Sequence, residues 1–238
     1  MSFHLHSNPI DALSIPDLRP CLRPPIPEIA IAAALLKDAE TAHIEARFGE
    51  AENLLEQANI TAIKEWADSL IGGFSKYNTP RFRLSLSPTV SARREKARMP
   101  SSELKQMLHG RYGYHCCFCG TPVMRRQVRN RLVSLYPKAV PWNPRDSDKH
   151  AAVFVMEAQY DHIGPLSRGG QNTFGNFVLT CLPCNYGRSR FTLEEMGLSD
   201  PRTRERVECI ASGWDGLERL LPLVESRAIL SNFLNAEA

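Results

Sequence analysis

Apolar and polar residues alternate with helical spacing near the start of the chain. From residue 28 to about residue 70 the chain is rich in Ala, Leu and Glu, and Gly49 separates two amphipathic stretches. This pattern predicts a helical hairpin or one bent helix. Further along, residues 103–109 predict a short helix and residues 123–136 predict a basic helix.

Two short runs in the second half of the chain have the composition of strands. These are "AAVFVMEAQY" (151–160) and "NFVLT" (176–180), with a Gly-containing loop between them. After residue 192 the pattern is helical again: Asp200 is suited to cap a helix that begins at Pro201, and residues 217–233 carry apolar positions at helical spacing. The pattern as a whole therefore predicts an α+β fold.

The composition is ordinary for a globular protein, with 43% hydrophobic and 23% charged residues. The longest apolar run, Ile29 to Leu36, is too short to span a bilayer. The first residues lack the basic and apolar regions of a signal peptide, so we expect a cytoplasmic protein with no membrane association. Thiols stay reduced there, and seven cysteines then indicate metal ligation more than disulfides.

Charge is unevenly distributed along the chain. Residues 28–68 contain nine acidic and three basic side chains, whereas residues 76–131 contain thirteen basic and two acidic ones. A basic half of this kind suits a polyanion such as DNA, although a solvated basic face would have the same composition. The acidic helical residues 28–70 are a candidate docking surface for a protein partner.

Four cysteines have the spacing of a zinc site. Cys116 and Cys119 form one C-x-x-C pair, and Cys181 and Cys184 form a second. Two such pairs can place four thiolates around one tetrahedral zinc ion, which leaves no coordination position open for chemistry. We therefore predict a structural zinc.

Two other ligand sets remain open. Cys117 could pair with Cys119 as C-x-C, or His115 could replace one sulfur, but neither matches the knuckle spacing. Cys117 is better explained as a small buried apolar side chain, and Cys21 and Cys209 as ordinary thiols.

The loop between the two cysteine pairs is unusually long. It has 61 residues, whereas a simple zinc ribbon needs about 15–20. Inside it lies "DHIGPLSRGGQNTFGN", in which Asp161 and His162 end one strand candidate and Asn176 opens the next. Asn185 directly follows the second cysteine pair.

These residues carry a resemblance to a known family. "YHCCFCG … YDHIGPLSRGGQNTFGNFVLTCLPCNYGRS" resembles the HNH endonucleases in their four-cysteine variant, and the arrangement after "DH" is similar to that of the HNH domain of RNA-guided CRISPR nucleases. The resemblance covers roughly residues 103–192 and implies a zinc-stabilised ββα-metal core with flanking helical regions. The expected segments are a proline-rich arm (1–27), a helical region (28–75), a basic connector (76–102), the HNH nuclease domain (103–192) and C-terminal helices (193–238).

The resemblance also implies a role for each polar residue. His162 would be the general base, Asp161 and Asn185 would bind the catalytic metal, and Asn176 would order the loop that carries the histidine. Neutral imidazole is available near pH 7 to accept a proton from water. Carboxylate and amide oxygens suit Mg²⁺ or Mn²⁺, although the family often has histidine where this chain has Asn185.

Several arginines are candidates for phosphate contacts. Arg188 and Arg190 follow the second cysteine pair, and the basic helix carries Arg125, Arg126, Arg129 and Arg131. The alternative for the basic helix is a solvated face.

The sequence supports three functional hypotheses. The first is a metal-dependent HNH endonuclease that hydrolyses phosphodiester bonds in DNA and leaves 5′-phosphate and 3′-hydroxyl ends. The second is a non-catalytic zinc-finger protein that binds nucleic acid, which would not require Asp161, His162 or Asn185. The third is that the nuclease is the effector of a phage-defence or restriction system.

Overall fold

Eight helices and one two-stranded sheet make up the described part of the chain, which is residues 18–71, 73, 75–83 and 99–222 of a computed structural model. This is the mixed α/β architecture that the sequence predicts. The helices are α1 (Pro27–Ile44), α2 (Phe48–Gln57), α3 (Thr61–Ile71), α4 (Ser102–Tyr112), α5 (Arg126–Leu135), α6 (Ala151–Val155), α7 (Leu182–Arg188) and α8 (Leu193–Met196), and the strands are β1 (Gln159–His162) and β2 (Phe177–Thr180).

The helical region is built from three helices rather than from one hairpin or one bent helix. The chain breaks after α1 at Ala46, whose φ of 59° is left-handed, and Gly49 lies inside α2 instead of between helices. Helices α1 and α2 pack together, and Ile29, Leu36 and Leu55 on these helices are fully buried. The helical pattern was thus a correct signal, but the break lies a few residues earlier than Gly49 suggests.

Helix α3 packs against α6 and α7, so the helical region shares its core with the segment that carries the ββα unit. The approach is close at Gly187 of α7, where an added Cβ would lie 2.8 Å from Leu22 Cδ1 and 3.1 Å from the Leu70 carbonyl oxygen. Leu22 itself is buried. The end of the predicted proline-rich arm therefore contributes to the core, while residues 1–17 lie outside the described residues.

The first strand candidate is a helix over half its length. Residues 151–155 form α6, and β1 begins only at Gln159. The side chain of His150 caps α6 by accepting a hydrogen bond from the Val153 amide at 3.3 Å. All five residues of α6 are buried. A short apolar run that is buried on every side has no period, so composition alone could not separate helix from strand.

The sheet is antiparallel, and its register brings Asp161 opposite Val178 and His162 opposite Phe177. Strand β2 is completely buried, and it leads through Cys181 directly into α7. The sequence β1, β2, α7 forms the ββα unit, with Asp161 and His162 at the end of its first strand.

Helices α4 and α5 lie close to their predicted positions. Helix α4 begins after Ser101, whose hydroxyl oxygen accepts a hydrogen bond from the Leu104 amide. The part of the predicted basic connector between residues 84 and 98 lies outside the described residues. None of the helices in the described ranges combines the length and the apolar character needed to cross a membrane.

The chain after α8 is not the helical tail that the sequence predicts. Asp200 and Pro201 begin a turn. In it, the backbone amide and the guanidinium group of Arg202 both donate hydrogen bonds to the Asp200 carboxylate. The residues from 205 to 222 are largely irregular, apart from a short 3-10 helix, Glu218–Leu220. The predicted helix at Pro201 is therefore wrong, and residues 223–238 lie outside the described residues.

Candidate metal centre and catalytic site

Four buried cysteines converge at one point of the core. The sulfur atoms of Cys116, Cys119, Cys181 and Cys184 all lie within 4.8 Å of one another, and the Sγ atoms of Cys119 and Cys181 are 3.7 Å apart. Four sulfurs at about 2.3 Å from a tetrahedral zinc would be separated by about 3.8 Å, whereas a disulfide needs about 2.05 Å. The cluster therefore has the dimensions of a zinc site.

Local backbone geometry presents each cysteine pair. The Gly120 amide donates to the Cys116 carbonyl at 2.9 Å, and Gly120 has a φ of 76° in a place where a Cβ would meet the Glu208 carbonyl oxygen. In the second pair, Cys181 is the N-cap of α7 and Cys184 lies in its first turn. A tight turn and a helix start thus aim the sulfurs at a common centre.

The two alternative ligands lie outside the cluster in the described ranges. Cys117 is buried, and its amide donates to the Leu179 carbonyl at 2.9 Å, which attaches the first pair to β2. Burial raises the pKa of Cys117 well above the ordinary value, which keeps this thiol neutral in the core. Four buried thiolates at the cluster would need a compensating cation, and a divalent metal supplies it.

His162 is held by a side chain that sequence reasoning missed. Its Nε2 lies 2.8 Å from Oδ1 of Asn172, and the imidazole packs on the Phe177 ring with the centroids 4.2 Å apart. Because an amide oxygen only accepts hydrogen bonds, this contact places a proton on Nε2, and in the neutral ring Nδ1 then carries the lone pair. The sole sequence signal for Asn172 was an amide residue in the loop that begins at His162.

Asn176 fixes the loop between the two strands. Its Oδ1 accepts a hydrogen bond from the Gly164 amide at 2.7 Å, while its Nδ2 donates to the carbonyls of Gly164 at 3.0 Å and Gln171 at 2.8 Å. The loop is drawn tight enough that a Cβ on Gly170 would lie 1.8 Å from the Gly164 carbonyl oxygen. One amide side chain thus closes the loop that carries Asn172 towards His162.

Asp161 is buried beside Arg188 rather than open to solvent. The carboxylate accepts hydrogen bonds from Nε of Arg188 at 2.8 Å and from Nη2 at 2.6 Å. Burial raises the pKa of Asp161, and the guanidinium group opposes that shift. Both carboxylate oxygens of Asp161 thus already accept hydrogen bonds from Arg188, and its role as a metal ligand stays a prediction.

The placement of Arg188 corrects one prediction. Its side chain is 1% exposed, and besides Asp161 it donates to the carbonyls of His162, Ile163 and Phe191. A guanidinium group that is satisfied inside the core does not contact phosphate. Arg188 instead joins α7 to the end of β1.

Asn185 lies one turn before Arg188 on α7, on the same side of the helix. It is half-buried, and its side-chain amide makes no hydrogen bond within the described ranges. Its side-chain oxygen is therefore available as a metal ligand, on the helix that packs against β1.

The arginines of the basic helix are partly used by the fold. Arg125 pairs with Glu218 and Arg129 with Glu157, and both arginine side chains are only 13% exposed. These ion pairs occupy both guanidinium groups in the structure, and their role as DNA contacts stays a prediction. Arg126 is 71% exposed although its Nε lies 3.1 Å from Glu157, and Arg131 and Arg190 are exposed.

One segment of the chain contains the end of β1, the loop after it and helix α7. Residues 146–190 match the family model of HNH endonuclease. The HNH match includes His162, Asn172 and Asn185 together with the second cysteine pair, whereas the first pair precedes it. It supports a nuclease of the HNH type, which acts on nucleic acid. Comparisons with curated proteins and with solved structures found no match.

Proposed function

We propose that this protein is a metal-dependent HNH endonuclease that hydrolyses phosphodiester bonds in DNA. One observation carries the proposal. Within the HNH match, the His162 imidazole is held through Nε2 by Asn172, so that Nδ1 is free to accept a proton. An imidazole that an amide oxygen holds in one tautomer has the chemistry of a general base.

The reaction assigns a separate task to each side chain. Nδ1 of His162 takes the proton of the attacking water, and Asn172 keeps the ring in the orientation and tautomer that this step needs. Asp161 and Asn185 would hold Mg²⁺ or Mn²⁺, for which oxygen ligands are suited. Such a cation supplies charge neutralisation at the leaving oxygen. Asn176 keeps the loop closed around the histidine.

The four cysteines would hold one zinc ion with a structural role. Their sulfur separations fit tetrahedral coordination, and four sulfurs leave no open position. This zinc would tie the start of α7, and with it Asn185, to the first cysteine pair and to β2. The catalytic side chains are then positioned by a metal that takes no part in the reaction.

A specific observation keeps a second function in view. Arg188 occupies both oxygens of Asp161, and the Asp161 side chain is only 8% exposed. A carboxylate has about four acceptor positions, so Asp161 can keep Arg188 and still offer one to a cation. If it does not, the chain would be a zinc-stabilised protein that binds nucleic acid without cleaving it.

The substrate and context extend the proposal further. Exposed basic residues suit a DNA backbone, and one active site per chain would nick one strand per encounter. A protein partner at the acidic helices and a role as the effector of phage defence or restriction stay predictions, which the neighbouring genes would test first.

A plasmid assay tests the proposed function. Supercoiled plasmid is incubated with the zinc-loaded protein in Mg²⁺, in Mn²⁺ and without added divalent cation. Omission is a better control than a chelator, because a chelator would also compete for the zinc. Nicked or linear products that require Mg²⁺ or Mn²⁺ would support the nuclease. Binding to DNA without cleavage in either cation would favour the non-catalytic function.

A further inference from the structure

An open cavity of about 320 Å³ lies beside the loop that follows β1. Its size is at the lower end of the range for ligand sites, about 300–1,000 Å³. No acidic residue lines it within the described part of the chain. The lining residues are Arg83, Ser167, Arg168, Arg190 and Phe191.

The described residues leave most of the charge in this cavity uncompensated. Arg168 lies 3.2 Å from the buried carboxylate of Glu195. Arg83 and Arg190 are exposed and form no ion pair with another described residue. Three guanidinium groups line one opening, and because Glu195 pairs with Arg168, two of their positive charges have no carboxylate partner among the described residues. Like charges facing one space repel each other, and a bound anion would remove that repulsion.

The groups that line the cavity suit a phosphate oxygen in particular. Guanidinium groups donate several hydrogen bonds in a planar fork, which matches phosphate geometry. Ser167 adds a hydroxyl donor next to Arg168. A solvated basic face would also be rich in arginine. However, it would not require a serine hydroxyl and three arginines from three separate segments to line one concave space.

The walls of the cavity are joined to the candidate catalytic residues. Ser167 and Arg168 lie in the loop that Asn176 holds closed. On the other wall, Arg188 donates to the Phe191 carbonyl at 2.7 Å while it binds Asp161. An anion bound in the cavity would therefore be held in a fixed relation to the end of β1.

We propose that Arg83, Arg168 and Arg190 form a binding site for a backbone phosphate of the nucleic-acid substrate, separate from the phosphate that is cleaved. This inference rests on the proposed function for the identity of the polyanion. The site positions the strand and carries no sequence information, as phosphate contacts in general do.

A salt titration of binding tests this site without any cleavage. The zinc-loaded protein binds a short fluorescent duplex, either DNA or RNA, in buffer without Mg²⁺ or Mn²⁺, over a series of salt concentrations. The test variant is Arg83→Ala/Arg190→Ala, which leaves Arg168 and its buried partner intact. The matched control is Lys138→Ala/Arg145→Ala, which removes two exposed charges that do not line the cavity.

The test variant should bind more weakly than the control, and its slope of log K against log salt should be shallower by about 1, because one phosphate contact releases about 0.9 counterion. A change in either duplex supports the site and identifies its polymer. Equal affinities and slopes for test and control variants in both duplexes would overturn it. Each single variant, with zinc content and unfolding temperature, is measured in parallel, so that a misfolded double variant does not decide the outcome. Because cleavage is not needed, a failure here is distinct from an inactive nuclease.

Discussion

The carboxylate of Asp161 and the guanidinium group of Arg188 form a buried ion pair that joins the end of β1 to the last turn of α7. Each oxygen of the carboxylate accepts one hydrogen bond, and the remaining guanidinium donors reach three backbone carbonyls. The pair therefore determines how the strand end that carries His162 sits against the helix that carries Asn185. An arginine expected at the DNA surface instead holds the site together.

Arg188→Ala should be strongly destabilising. It would leave the Asp161 carboxylate buried without a partner, which costs about 3–5 kcal/mol in the free energy of unfolding. Arg190→Ala is the matched control, because Arg190 is exposed and should change that free energy by less than about 0.5 kcal/mol. Denaturant unfolding of the zinc-loaded proteins measures both. Equal stability of the two variants would show that the ion pair does not hold the fold.

One zinc ion should bind per chain through the four clustered cysteines. Cys184→Ser should lower the zinc content and destabilise the core, because metal binding and folding are coupled at such sites. Cys209→Ser is the control, since Cys209 lies outside the cluster. Elemental analysis and thermal unfolding provide the measurements. Protein purified without chelator that contains no zinc would refute this prediction.

Asn172→Ala should slow cleavage by about 10–100-fold while leaving zinc content and DNA affinity nearly unchanged. Its side chain orients His162 without being a reacting group, and misplacement of a catalytic group costs about this much. Asn143→Ala, in an exposed loop, is the control. The measured quantity is the initial rate of plasmid nicking. A parental rate for Asn172→Ala would mean that the hydrogen bond to His162 has no catalytic role.

The sequence predicted those parts of the site that depend on spacing. Two residues between the cysteines of each pair are enough to form a zinc knuckle, whatever the length of the loop between the pairs. The four sulfurs accordingly form one cluster. Asn176 could be linked to the histidine loop only through the family resemblance. In the structure it donates and accepts hydrogen bonds within that loop, as that role requires.

Features that depend on tertiary contacts were beyond the sequence. A positive charge just after the second cysteine pair suggested that Arg188 contacts phosphate at the surface. Only the packing of α7 on β1 shows that its side chain is buried. The partner of His162 lies ten residues away in a loop without periodicity, so no pattern could identify Asn172. Residues 151–155 became a helix because burial on all sides erases the difference between strand and helix patterns.

The central claim is that His162 acts as the general base of an endonuclease, and the cleavage rate of His162→Ala tests it most directly. The parent, His162→Ala and the control His43→Ala are purified identically, matched for zinc content, and incubated with supercoiled plasmid in Mg²⁺ or Mn²⁺. Loss of the base should lower the nicking rate of His162→Ala by about 10²–10⁴-fold, with DNA affinity retained and with His43→Ala at the parental rate. Cleavage by His162→Ala at the parental rate would contradict the mechanism.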